Sequence, residues 1–240
     1  MASTMFCAIP LPFHKWDDAS RPLMTVCLPF VGLEIGLIWA AATYLMRLIH
    51  APIFIAAALL CILPYVLSGY MHLDGFMDVT DAVKSYRDLE ERRRILKDSH
   101  SGAFALIACV ILMLLGFAVF ASAKPESDFH ALIFIPVLSR CCSAIAVTVL
   151  PPMGTSQFSG KYREGIRRGH VVFLVALLLA TLSVAFLLCG KYGFVGPAVL
   201  VGYLLALRRA YKSLEGMNGD IAGYSLTVGE LCGAAVFALL

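Results

Sequence analysis

Apolar stretches long enough to cross a bilayer recur along this chain, near 24–46, 51–70, 102–123, 130–150, 171–190, 193–207 and 221–240. About 20 predominantly apolar residues suffice for a helix to span the hydrocarbon core, and a helix satisfies its own backbone there. With 60% hydrophobic and 15% charged residues, the chain carries more apolar surface than a water-soluble fold of its length could cover. That excludes a soluble enzyme, a disordered protein and a secreted disulfide scaffold. The expected fold is all-α, a polytopic integral membrane helical bundle of about seven spans, in one domain covering 1–240. The sixth stretch is short and holds Pro197 between glycines, so six spans plus a re-entrant segment is the alternative.

Charge and cysteine agree with a lipid setting. A net charge of +3 is too small to argue for nucleic acid. The eight cysteines fall mostly inside apolar runs, with no Cys-x-x-Cys and no Cys/His cluster, and read as small buried hydrophobes. The first residues, with prolines and no basic start, do not read as a cleavable signal; a short interfacial segment is expected there.

Seven spans put the N-terminal segment and the stretches 71–101, 151–170 and 208–220 on one side. Fifteen basic residues share that side: Lys15, Arg21, Lys84, Arg87, Arg92, Arg93, Arg94, Lys97, Lys161, Arg163, Arg167, Arg168, Arg208, Arg209 and Lys212. Only Arg47, Lys124 and Lys191 fall on the other, and Arg140 lies inside a span. The positive-inside bias therefore predicts a cytoplasmic (inner) membrane protein whose basic face is cytoplasmic. Arg140, Glu34 and Glu230 sit roughly 15 Å deep at 1.5 Å per residue, where an unpaired charge is costly. Arg140 is expected either to pair with Glu34 or Glu230 or to reach a substrate phosphate.

Acids gather at the same cytoplasmic edge. Asp74, Asp78 and Asp81 fall within about 60° of one another on a helix, directly after an apolar span. Three carboxylates on one stripe repel unless a cation sits among them, and hard oxygen donors suit Mg²⁺ or Mn²⁺. The plainer reading is a solvated helix face with Asp81 and Lys84 as a surface pair. Asp98 and Asp220, which opens the last span, are further ligand candidates, although each also reads as an N-cap. His72 lies about 160° from Asp74 on a continuous helix, which places it outside the same metal's shell unless the chain bends at Gly75. The run Arg92-Arg93-Arg94 reads mainly as attraction to lipid headgroups.

The stretch Gly69-Tyr70-Met71-His72-Leu73-Asp74-Gly75-Phe76-Met77-Asp78-Val79-Thr80-Asp81 resembles the His-Leu-Asp-Gly-x-x-Asp-x-x-Asp signature of the cobalamin synthase (adenosylcobinamide-GDP ribazoletransferase) family. The resemblance runs along nearly the whole chain. Pro29-Phe30-Val31-Gly32, Lys97-Asp98-Ser99-His100-Ser101-Gly102, Ser139-Arg140, Tyr162-Arg163-Glu164-Gly165 and Gly219-Asp220-x-x-Gly223 are similar to that family's other segments. Three places depart from it. Tyr70 stands where a second Gly is usual, Ala82 where Gly often follows the third Asp, and Glu215-Gly216-Met217-Asn218 where Gly-Gly-x-Thr is common.

The resemblance implies an enzyme completing the nucleotide loop of cobalamin. The ribose 3′-hydroxyl of α-ribazole, or of its 5′-phosphate, would attack the phosphorus of adenosylcobinamide-GDP and release GMP. Such phosphoryl transfer relies on positioning and charge neutralisation. The implied metal ligands for Mg²⁺ (or Mn²⁺) are Asp74, Asp78 and Asp81, with Asp98 and Asp220 as further candidates. Asp220, Lys97 and Asp81 are the implied catalytic residues, Asp220 as base or ligand. Lys97, Ser99, Arg140, Arg163 and His72 are the implied substrate contacts. Other partners are the bilayer and, left open, further copies of the chain. Two alternatives stand beside this reading. A CDP-alcohol-type lipid phosphotransferase has a similar stripe, but its Asp-Gly-x-x-Ala-Arg is absent. A cation-coupled transporter would place its acids near the midplane, not at one edge.

Overall fold

The computed structural model describes residues 1–10, 17, 20–154 and 165–240. Lys15, Lys161 and Arg163 lie outside the described residues. Eleven α-helices are described: α1 (Ala2–Phe6), α2 (Arg21–Val26), α3 (Leu28–Leu48), α4 (Ile53–Leu67), α5 (Met71–Lys84), α6 (Leu89–Ile95), α7 (Ala103–Ser122), α8 (Ala131–Val149), α9 (Arg168–Cys189), α10 (Val195–Leu214) and α11 (Gly219–Leu239). Among the described residues there is no strand, only a bridge between Pro152 and Met217.

Five helical stretches are long and apolar enough to cross a membrane, and a sixth forms if the bent pair α4–α5 counts as one. The longest stretch, Arg168–Leu214, is divided by the 3₁₀ turn Gly190–Phe194 into α9 and α10. Hydrogen bonds sort the connections into two ends. At one end Lys124 and Lys191 donate to the Leu240 carbonyl at 3.1 and 2.6 Å, and Arg47 donates to the Ser127 carbonyl at 2.7 Å. At the other end Arg92 donates to Ser213 O and Arg93 to Leu214 O and Glu215 O, while Met153 and Met217 join the α8 and α10 exits. About seven crossings are consistent with this arrangement if α4, α9 and α10 each cross, and the arginine-rich connection of α6 lies at the second end. The sixth is a full 20-residue helix. Its Pro197 falls in the first turn, where a missing N–H costs nothing.

The alternative of a re-entrant sixth stretch is not needed, and the sharp break in the described helices lies instead after the second stretch. α4 ends at Leu67, and the chain turns by 90° into α5. Gly69 (φ +59°) and Tyr70 (φ +61°) are both left-handed, which stops a right-handed helix. The backbone groups freed at the break are satisfied: Ala8 N–H donates to Leu67 O at 2.7 Å and Tyr70 N–H to Tyr65 O at 2.8 Å, as a lipid-facing fold requires. The N-terminal segment therefore folds onto the helix break, and Cys7 packs against Val31 and Ile35. It is thus more than the interfacial segment expected.

Small residues set the helix spacing. A methyl group on Gly32 would lie 2.4 Å from Pro136 O, and one on Gly36 would lie 2.4 Å from Ile133 O, so α3 and α8 touch backbone to backbone. Trp39 Nε1 donates to Leu60 O at 2.9 Å and ties α3 to α4. α5 lies antiparallel to the start of α11. His72 backbone atoms approach Gly223, the Thr227 hydroxyl donates to His72 O at 3.2 Å, and Gly75 lies against the Asp220 backbone. Sequence reasoning placed 71–101 in a cytoplasmic loop; the structure instead packs 71–84 among the spans.

Candidate active site

Two glycines bring the aspartates together. A methyl group on Gly75 would sit 2.9 Å from both Asp220 Cα and Asp220 O, and one on Gly223 would sit 3.2 Å from His72 Cα. Only hydrogen at these positions lets α5 and α11 approach this closely. Asp74 and Asp78, one turn apart on α5, therefore face the first turn of α11. Asp78 stands within electrostatic reach of Asp74, Asp220 and Asp81. Among the described residues none of Asp74, Asp78 and Asp220 forms an ion pair.

Asp81 turns to another neighbour. Its carboxylate accepts the backbone N–H of Gly102 and, at 2.8 Å, that of Ala105. It thus caps α7 from a different helix and satisfies amides that a helix start leaves unpaired. The expected surface pair with Lys84 does not form; Asp81 is 8% exposed.

Neither of the other acids read as possible caps fills that role. Asn218 caps α11, accepting Ile221 N–H at 2.9 Å, and its side-chain amide donates to Asp220 at 2.7 Å. This leaves Asp220 in the first turn, where the helix dipole favours a carboxylate. Asp98 closes a local turn with His100, through its N–H at 3.0 Å and its ring at 2.8 Å. Those bonds hold the Asp98 carboxyl below its ordinary range. Lys97 and Ser99 are exposed in the same connection, which Gly102 anchors to Asp81.

A cavity of about 350 Å³ opens beside Asp220, with His72, Ser143, Asn218 and Gly219 also in its lining. His72 thus reaches the site's cavity without joining the aspartate stripe. Arg140 does not line it. Its guanidinium, 0% exposed, pairs with Glu230 at 2.6 Å, and Ser139 Oγ donates to the same oxygen at 2.8 Å. Glu34 instead accepts from Ser3 at 2.8 Å.

Among the described residues no three Asp, Glu, His or Cys side chains converge into a ready-made metal cage. The donor set nevertheless fits a hard divalent cation that arrives with a phosphate. Mg²⁺ keeps several waters and is ordinarily held by one or two carboxylates plus substrate oxygens. Unpaired, mutually repelling carboxylates next to a cavity match that requirement.

Sequence reasoning missed Asn218, Ser143 and the capping role of Asp81. The signal for Asn218 was present, since Asn at a helix start is a preferred cap. Ser143 gave none. Arg92 and Arg93 of the α6 run have a further role that sequence reasoning did not give them, holding the last carbonyls of α10, where cations complement the helix dipole.

Comparison with known proteins shows the family. The family model described as Cobalamin-5-phosphate synthase matches residues 1–238. A Clostridium perfringens protein named adenosylcobinamide-GDP ribazoletransferase is 35% identical, covering 100% of this chain and 96% of the relative. Proteins of the same name from Clostridium botulinum (35% identical, 97% of this chain and 93% of the relative) and Desulfitobacterium hafniense (34%, 96% and 92%) are similar over nearly full length. No solved structure matches. With its glycine-spaced aspartate pair facing a second aspartate helix, and with these matches end to end, the chain belongs to the cobalamin-5-phosphate synthase family.

Proposed function

We propose that this protein is the membrane transferase that joins the two halves of cobalamin, taking adenosylcobinamide-GDP and α-ribazole or its 5′-phosphate and releasing GMP. The observation that carries the reading is the meeting of Asp74 and Asp78 with Asp220 across Gly75, where Asp220 lines a cavity. The full-length relatives bearing that activity as their name support it.

The reaction forms one P–O bond and breaks another. The ribose 3′-hydroxyl oxygen attacks the phosphorus that carries the cobinamide alcohol. The oxygen bridging the two phosphates leaves with GMP. Asp220, which lines the cavity, takes the proton of the attacking hydroxyl. Asp74 and Asp78, joined by the lone pairs of Asp81 that the α7 amides leave free, would hold Mg²⁺ (Mn²⁺ has the same oxygen preference). Bound there, the cation would neutralise the diphosphate. Lys97 and Ser99, exposed beside the α7 start, are placed to meet phosphate oxygens, a role that Arg163 would share. Asp98 faces His100 and is assigned to shaping this connection. Arg140, sealed against Glu230, is a positioning residue and not a phosphate contact.

The basic end is assigned to the cytoplasm of an inner membrane by the positive-inside bias. A lipid phosphotransferase and a transporter are not favoured by the family match. The purified protein in nanodiscs, given both substrates, is expected to release GMP only with a divalent cation. GMP release that persists in EDTA would remove the metal assignment, and absence of any transfer would remove the reaction.

A further inference from the structure

The cavity beside Asp220 has walls that do not suit the diphosphate donor. No Lys or Arg lines it among the described residues, and most of its surface comes from Met5, Phe6, Leu28, Met71, Val147 and Ala222. A volume of about 350 Å³ is at the small end of ligand sites and excludes a corrinoid ring. A guanine nucleotide would bring phosphates without counter-charges and a base edge rich in hydrogen-bonding groups. A nucleoside with a fused-ring, largely apolar base suits both the size and the walls.

Two buried polar side chains interrupt the apolar lining. His72 is 8% exposed, and its Nε2 has no hydrogen-bond partner. Ser143 is 1% exposed, with the Tyr203 hydroxyl behind it. A buried polar atom without a partner, such as His72 Nε2, is rare and calls for an explanation; a ligand that completes it is one. Asn218 and Asp220, joined at 2.7 Å, line it as well. α1 roofs the space with Met5 and Phe6, and is itself held down by Ser3 on Glu34 and Ala8 on Leu67.

We infer that this cavity is the acceptor pocket, and that His72, Ser143 and Val147 determine which nucleoside the enzyme uses. The inference rests on the reaction proposed above. The bicyclic base lies against Phe6, Leu28 and Val147. Its ring nitrogen that carries no sugar meets His72 or Ser143. The ribose then lies beside Asn218, with its 3′-hydroxyl on Asp220, and a 5′-phosphate, when present, projects out of the pocket toward the basic connections.

The test is a split between the two substrates, using the full-length protein in nanodiscs. Val147→Phe and His72→Phe are each expected to raise the KM for α-ribazole about ten-fold while the KM for adenosylcobinamide-GDP stays within two-fold. His72→Gln, which keeps a hydrogen-bonding group, is expected to recover part of the loss. Val147→Ala, which removes volume without burying anything new, guards against misfolding. It is expected to shift selectivity toward an acceptor with a larger, naphthimidazole base. A raised donor KM with unchanged acceptor KM, or unchanged acceptor selectivity in Val147→Ala, would overturn the pocket. Equilibrium binding of labelled α-ribazole separates the two readings. Wild type that binds it, with weaker binding in Val147→Phe, but transfers nothing would sink the reaction and keep the pocket. Transfer with unaltered selectivity would do the reverse.

Discussion

The Asp81 carboxylate of α5 accepts the Ala105 amide at 2.8 Å, together with that of Gly102, so one member of the aspartate stripe is also the cap of α7. The stripe is therefore divided: Asp74 and Asp78 face Asp220, whereas Asp81 holds two helices in register.

This division predicts different phenotypes for the same chemical change. Asp81→Asn is expected to lower stability by about 1 kcal/mol, the usual scale of a lost cap, as well as activity. Asp78→Asn is expected to leave stability unchanged or raise it, because it removes charge from a repelling group, while abolishing turnover. Thermal unfolding in detergent alongside GMP release checks both. Equal destabilisation by the two variants would contradict the division.

Two departures from the family pattern acquire a physical meaning. Tyr70 and Glu215 stand where glycine is usual, and both have positive φ, +61° and +50°. A left-handed conformation costs a non-glycine residue roughly 1–2 kcal/mol. Tyr70→Gly and Glu215→Gly are each expected to raise the unfolding temperature, with little effect on turnover. A drop in stability for both would show that side-chain contacts outweigh the backbone term. In the same segment as Glu215, Asn218 stands at the usual Thr, a change that keeps a cap, since both are N-cap residues.

The buried pair of Arg140 and Glu230, 2.6 Å apart, gives a reciprocal expectation. Removing one partner of a buried pair costs about 3–5 kcal/mol, so Arg140→Ala is expected to be severely destabilised. Glu230→Gln in that background is expected to restore part of the loss, since the uncompensated charge is gone. If Arg140→Ala unfolds normally but binds the GDP-linked substrate weakly, Arg140 belongs to the active site instead.

Sidedness is open to labelling. Tyr86 is 81% exposed in the connection after α5, and Glu126 is exposed at the opposite end. In a cysteine-free background, an impermeant thiol reagent applied from outside is expected to reach Glu126→Cys and miss Tyr86→Cys. Labelling of the second but not the first would invert the topology.

The sequence showed the aspartate motif, its distant partner Asp220 and the need of Arg140 for a counter-charge, because a charge near an apolar run has few stable solutions. It did not show that α5 lies among the spans. That helix is too polar to announce itself, and its burial comes from Gly75 and Gly223 meeting across the fold, a relationship no local window contains. Nor did it separate Asp78 from Asp81: a helical stripe fixes direction to within tens of degrees, and the α7 amides decide the rest. The choice between Glu34 and Glu230 depended likewise on where α1 settles, since Ser3 occupies Glu34.

The antiparallel pairing of α5 with α11 has a consequence for how the protein is made. α5 carries Asp74, Asp78 and Asp81 into the bundle, yet its partner emerges from the ribosome only after α10. Until then α5 has α7 to lie against, through Asp81 on the Ala105 amide, but not the helix that carries Asp220. Asp74 and Asp78 therefore meet Asp220 only once Gly219–Leu239 has been made, so a nascent chain stalled before Gly219 is expected to lack that cluster.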